Sequence, residues 1–76
     1  MSKADQILDG LGGATNIGDL ESCITRLRVE VKDPSIVDEP ALKDAGAYGV
    51  VQVESTVQVV VGPDADDIAD EINATR

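Results

Sequence analysis

Apolar residues near both ends of the chain recur at the i, i+3, i+4 spacing of a helix that buries one face. Near the start they are Ala4, Ile7, Leu8 and Leu11, and near the end Ala65, Ile68, Ala69 and Ile72. The first run predicts a helix over residues 3–11, which Ser2 can cap and Gly12-Gly13 can end. The second predicts a helix that opens after Gly62-Pro63 and frays over residues 74–76.

The middle of the chain alternates with the period of two that is typical of strands. In residues 25–32, Leu27, Val29 and Val31 point to one side, so Arg26 and Arg28 project together from the other. Residues 48–53 and 56–61 predict a hairpin across Glu54-Ser55. Residues 16–22 predict a brief strand with poor alternation, and a short helix capped by Asp38 separates the two strand pairs.

The predicted order is therefore helix-strand-strand-helix-strand-strand-helix. Because the connections are short, neighbouring strands should run antiparallel. We expect an α+β fold in which three helices cover one face of a four-stranded antiparallel sheet. Residues 1–76 are expected to form a single domain, because a chain of this length supports one core.

Charge and composition exclude several classes of function. Fifteen acidic residues against six basic ones give a net charge of −9, which opposes binding to nucleic acid or anionic lipid. No apolar run of about 18 residues is present, so direct membrane insertion is not expected. The chain has no histidine and one cysteine, so we expect no metal site and no cofactor. The unpaired thiol favours a reducing compartment, the cytoplasm.

The candidate chemistry lies around that one cysteine, Cys23, in the predicted turn before the clearest strand. Arg26 and Arg28 supply guanidinium groups that favour the thiolate and match phosphate geometry. The Thr25 hydroxyl and the backbone N–H groups of the turn can form a small anion nest. The Glu21 carboxylate disfavours the thiolate, and its position decides by how much. The pattern favours a nucleophile that accepts a phosphoryl group and passes it on.

The residues by themselves leave other interpretations open. A lone cysteine is often an inert buried side chain, and an arginine pair is often a solvated strand face. The domain could also be a binding module that senses phosphorylation and docks a regulator, or a structural domain. Two thiol chemistries fit poorly: cysteine phosphatases need an arginine where Val29 stands, and dithiol redox proteins need a second cysteine.

The segment Cys23-Ile24-Thr25-Arg26-Leu27-Arg28-Val29 resembles the IIB domain of bacterial phosphoenolpyruvate-dependent sugar phosphotransferase systems, in the glucose/N-acetylglucosamine family. The resemblance extends over residues 4–72. Its supporting stretches are Leu11-Gly12-Gly13, Asn16-Ile17, Leu42-Lys43, Gly46-Ala47-Tyr48-Gly49-Val50-Val51, Val57-Gln58 and Gly62. The resemblance implies the same fold of four antiparallel strands and three helices.

The resemblance also implies a reaction cycle. Cys23 would accept a phosphoryl group from a phosphohistidine of a IIA partner and transfer it to a sugar bound by a membrane IIC permease. Thr25, Arg26, Arg28 and Gln58 match the family's positions around the phosphate. The helix-free face would dock both partners, and the domain is expected to be a monomer at the inner face of the membrane. The sugar, glucose or N-acetylglucosamine, and the distance of Gln58 from Cys23 stay open.

Overall fold

The computed structural model describes residues 2–75. In chain order its elements are α1 (Lys3–Gly10), β1 (Ile17–Cys23), β2 (Arg26–Val31), α2 (Glu39–Asp44), β3 (Gly49–Val53), β4 (Thr56–Val60) and α3 (Ala65–Thr75). Short 3₁₀ turns precede β1 at Ala14–Asn16 and α2 at Pro34–Ile36. The strands form one antiparallel sheet in the order β1-β2-β4-β3. The predicted α+β fold is confirmed.

The core lies between the sheet and a layer of three helices. The inward residues of β2 and β4 are buried, as the alternation predicts, and so is the apolar stripe of α3. Helix α3 packs against β1 and β2, α2 packs against β3, and α1 contacts the other two helices. Burial of each large aliphatic side chain contributes about 1.5–3 kcal/mol, so the helices are held on one side of the sheet.

The caps of α1 are those that the sequence predicts. The Ser2 hydroxyl accepts a hydrogen bond from the backbone N–H of Asp5, and the Asp5 carboxylate accepts one from the N–H of Ser2. At the other end, the N–H groups of Gly12 and Gly13 donate to the carbonyls of Asp9 and Leu8. This Schellman arrangement requires a positive φ, and Gly12 has φ 105°.

The end of α3 differs from the prediction. The helix continues through Ala74 and Thr75, where fraying was expected. The Thr75 hydroxyl donates to the carbonyl of Ile72 at 2.8 Å, which satisfies one of the free carbonyls of the last turn. Arg76, the third residue of the predicted frayed end, lies outside the described residues.

A β-bulge explains the poor alternation of β1. The pairing with β2 shifts between Ile17 and Asp19, so Gly18 is an extra residue relative to the partner strand. Ile17 and Leu20 are three positions apart, yet both are buried. After the bulge the alternation is regular, so Glu21 and Cys23 lie on the side of the sheet opposite Leu20.

Asn16 is a buried polar residue in the core, at 4% exposure. Its side-chain amide donates to the carbonyls of Leu11 at 2.7 Å and Asp33 at 3.1 Å, and accepts from the N–H of Asp33 at 2.8 Å. Asn16 therefore joins the end of α1 to the residues after β2. None of the helices between residues 2 and 75 has the length and apolar character needed to cross a bilayer.

Candidate functional site

The side of the sheet that faces away from the helices, which we call the open face, carries three cross-strand rows of side chains. The first row holds Cys23, Arg26, Val60 and Gly49, the second Glu21, Arg28, Gln58 and Val51, and the third Asp19, Glu30, Thr56 and Val53. Directly paired residues have Cβ atoms about 4.5–5.5 Å apart. The register therefore places the thiol, both arginines and Gln58 in two adjacent rows.

Cys23 is the last residue of β1, and its side chain is exposed. The prediction placed it in the turn, but the turn consists of the next two residues, Ile24 and Thr25. Ile24 is 88% exposed and has φ 58°, an uncommon conformation for a β-branched residue. Since the thiol is accessible to solvent, the interpretation of Cys23 as a buried aliphatic-like residue does not apply.

The backbone of Thr25 fixes the turn to the residues that follow the C-terminal end of β4. The Thr25 carbonyl accepts hydrogen bonds from the N–H groups of Val61 and Gly62, both at 3.0 Å. Gly62 has φ 92°, and a Cβ atom there would lie 3.2 Å from the Tyr48 ring. The Tyr48 ring lies against Gly62 but is 78% exposed. Thr25 itself is exposed, in the turn that follows Cys23.

The two arginines have different partners. Arg26, directly opposite Cys23, donates from Nη1 to Oε1 of Gln58 at 2.9 Å. Arg28, directly opposite Glu21, forms an ion pair with its carboxylate at 3.3 Å. The strand order thus brings Gln58 to the arginine that faces the thiol, which the sequence could not decide. Arg26 is bound to a neutral amide, so its positive charge is not compensated by that contact.

Two contacts on the other side of the sheet, which were not predicted from the sequence, hold the end of β1 in place. The Ser22 hydroxyl donates to the carboxylate of Asp66 in the first turn of α3. The Asn73 amide donates to the carbonyl of Leu20 at 3.1 Å. These partners are 44 and 53 residues apart along the chain, so no local pattern indicates them. They fix the strand that carries Cys23 on the helix layer.

The part of the chain that the structure describes contains no group of three or more His, Cys, Asp or Glu residues that could hold a metal ion. A cavity of about 260 Å³ lies between α1 and α3 and is lined by Ser2, Lys3, Ala4, Asp64, Asp67, Ile68 and Glu71. It is on the helix side of the sheet. The open face around Cys23 is therefore the surface where the predicted chemistry would take place.

Comparison with known proteins identifies the family. A family model described as "phosphotransferase system, EIIB" matches residues 5–38, a segment that includes Cys23 and both arginines. The "PTS system N-acetylglucosamine-specific EIIB component" of Streptomyces coelicolor is 61% identical over 71 residues, which cover 93% of this chain and 92% of that protein. The chain belongs to the EIIB family of the phosphotransferase system. The resemblance stated from the sequence is confirmed.

The fold is also that of a solved phosphotransferase-system domain. The crystal structure of "one domain of the PTS system, IIabc component from Clostridium difficile" superposes with a TM-score of 0.79. The match covers 96% of this EIIB chain and 77% of that chain, at 24% sequence identity. The sheet and helix layer described above are therefore shared at low identity.

Proposed function

We propose that this EIIB chain is a phosphocarrier. The Cys23 sulfur accepts a phosphoryl group from a phosphohistidine of a IIA partner and transfers it to a sugar bound by a membrane IIC partner. The observation that carries this proposal is an exposed thiol directly opposite the exposed guanidinium group of Arg26 on a surface free of helices.

In the accepting step, the Cys23 thiolate attacks phosphorus. The S–P bond forms while the P–N bond breaks, and its electron pair goes to the leaving imidazole of the partner. Negative charge on the equatorial oxygens is stabilised by Arg26, with Arg28 in the next row. Gln58 accepts from Arg26 through Oε1, so its amide N–H donors are available to a phosphoryl oxygen. Thr25, exposed in the turn two residues after Cys23, offers its hydroxyl as a further donor.

In the donating step, a sugar hydroxyl attacks the same phosphorus. The S–P bond breaks, its electron pair returns to sulfur, and the hydroxyl proton goes to a base outside this chain or to water. A thiolate is a good leaving group, so phosphocysteine passes its group on instead of storing it. In this scheme the chain is the phosphotransferase that couples phosphorylation of the sugar to its uptake.

N-acetylglucosamine is the sugar favoured by the name of the Streptomyces coelicolor relative, with which this chain shares 61% identity. Glucose is the alternative within the same family. The ring would be bound by the IIC partner, so the discriminating measurement uses both proteins. Phosphorylated EIIB and membranes that contain the IIC permease are mixed with labelled N-acetylglucosamine or glucose. Faster formation of the glucose phosphate would overturn the assignment of the sugar.

The open face serves both partners in turn in this proposal. Donor and acceptor must each reach the Cys23 sulfur, so they cannot occupy it together, and each contact is transient. A monomer at the cytoplasmic surface of the membrane satisfies this requirement, because each partner can reach the sulfur in turn. The net charge of −9 opposes tight binding of the chain to anionic lipid.

The test of the proposal is phosphorus NMR of the protein after reaction with a phosphohistidine form of a IIA protein. We expect a new resonance from a sulfur-linked phosphate, and its loss in Cys23→Ser. A matched control moves the thiol: Cys23→Ser combined with Ser55→Cys places it in the β3–β4 turn, at the other end of the sheet. Phosphorylation of that control, or retention of label by Cys23→Ser, would contradict the role of Cys23.

A further inference from the structure

Positive charge is scarce in this protein, and part of it is paired beside the reactive thiol. The chain has six basic residues against fifteen acidic ones. Between residues 2 and 75 the one salt bridge within 4.0 Å joins Arg28 and Glu21. Both side chains are more than half exposed, and exposed pairs add little to stability. The position of this pair, one row from Cys23, points to a role in the chemistry.

Glu21 and Cys23 share a strand and a face. They are two residues apart on β1, after the bulge, so their Cα atoms are about 7 Å apart and their side chains point the same way. Each lies opposite one arginine, Glu21 opposite Arg28 and Cys23 opposite Arg26. The two guanidinium groups and the Glu21 carboxylate together leave one net positive charge in these two rows.

One net positive charge balances the charge of a thiolate better than that of a phosphoryl group. A thiolate carries one negative charge, whereas a fully ionised phosphoryl group on sulfur carries two. Since the Arg28 guanidinium is paired with Glu21, the phosphoryl group must compete with the carboxylate for it. If Arg28 turns to the phosphoryl oxygens, the Glu21 carboxylate loses its partner and faces a dianion on the same strand.

We propose that Glu21 is a positioning residue that destabilises the phosphocysteine state, both by holding Arg28 and by repelling the phosphoryl dianion. This inference rests on the proposed function of Cys23. Its consequence is that Glu21 sets the phosphoryl-transfer potential: it weakens acceptance from the donor slightly and favours release to the acceptor. A carrier needs such a balance because it must be loaded and unloaded by two different partners.

The size of the effect follows from the distance. In water, the repulsion between two unit charges about 7 Å apart changes an equilibrium constant about threefold. The repulsion energy is twice as large when one of the two groups is a dianion, and salt screens part of it. Neutralising Glu21 is therefore expected to shift the phosphoryl exchange equilibrium about three- to tenfold towards phosphocysteine. Other charged groups on the open face are Asp19, on β1, and Glu30, on β2; both lie in the third row, farther from Cys23.

The experiment measures the equilibrium between phosphohistidine on a IIA protein and phosphocysteine on this chain, from the two phosphorus NMR signals. The variant is Glu21→Gln, and the matched control is Asp19→Asn, which removes one negative charge from the same strand and face. The equilibrium constant depends only on the free proteins before and after transfer. A role of Glu21 in docking would change the rate of exchange and leave this constant unmoved.

We expect a shift of about three- to tenfold for Glu21→Gln at low salt, and less than half of that change for Asp19→Asn. The pH midpoint at which the phosphoryl group loses its second proton should also fall in Glu21→Gln, because the nearby carboxylate is gone. Equal equilibrium constants in the wild type and Glu21→Gln would overturn this inference alone. Absence of any phosphocysteine signal in the wild type would instead refute the proposed function.

Discussion

Asn16→Ala tests whether one buried amide holds the base of the β1–β2 hairpin. The substitution removes three side-chain hydrogen bonds, to the carbonyls of Leu11 and Asp33 and from the N–H of Asp33. It leaves these backbone groups without that partner in a region where Asn16 is 4% exposed. Each such bond contributes about 1 kcal/mol net. The expected loss in the free energy of unfolding is therefore about 3 kcal/mol.

A loss of this size is a large part of the total. A domain of this length is stable by about 4–11 kcal/mol, and 1 kcal/mol shifts its Tm by about 4–8 °C. We expect Asn16→Ala to lower the Tm by about 12–24 °C and to reduce the urea midpoint in proportion. Asn16 precedes β1 and Cys23 ends it, so phosphoryl acceptance at low temperature should persist in the folded fraction.

The matched control is Asn73→Ala, which removes one hydrogen bond, to the carbonyl of Leu20, from an exposed position. Its expected cost is about 0.5–1 kcal/mol. Unfolding is followed by circular dichroism in both variants. If Asn16→Ala costs no more than Asn73→Ala, the three bonds do not stabilise the fold and the reasoning from burial is wrong.

The remaining predictions concern the site and its support. Arg26→Ala should slow phosphoryl acceptance about 10²–10³-fold, as loss of a transition-state donor does, and Arg28→Ala only about tenfold, because Glu21 compensates its charge; equal losses in single-turnover rates would contradict this ranking. Cys23→Ser should abolish phosphoryl acceptance while changing the free energy of unfolding by less than about 0.5 kcal/mol, because the side chain is exposed. Gly62→Ala should destabilise the fold by about 1–3 kcal/mol, since alanine is strained at φ 92° and its Cβ meets the Tyr48 ring. Adding Tyr48→Ala should recover the part due to the clash, and a Gly62→Ala protein as stable as the wild type in urea would refute the argument.

Most of the secondary structure was predictable from the sequence because it follows from local patterns. The alternation of Leu27, Val29 and Val31 identified β2 and the side to which Arg26 and Arg28 point. The helical spacing of Ala65, Ile68, Ala69 and Ile72 identified α3 and its buried face. The end of α3 and the bulge at Gly18 were not predicted, because both depend on hydrogen bonds that no periodic pattern records.

The candidate site was likewise predictable from the sequence in one part and not in another. The residues from Cys23 to Val29 are contiguous, so the sequence alone indicated a thiol beside two arginines and the resemblance to the IIB family. Gln58 lies 32 residues from Arg26, and its place near the thiol depends on β4 pairing with β2. That strand order arises from packing of the whole sheet on the helices.

By itself, the sequence determined which side chains share a face, since a strand has a period of two and a helix a period of 3.6. Only the tertiary structure decided which faces meet. In the folded chain the Cys23 thiol is exposed, Arg26 donates to Gln58, and Arg28 pairs with Glu21. Hydrogen bonds of Ser22 and Asn73 attach β1 to α3. These partners are set by strand register and by burial of a common core, which involve residues far apart along the chain.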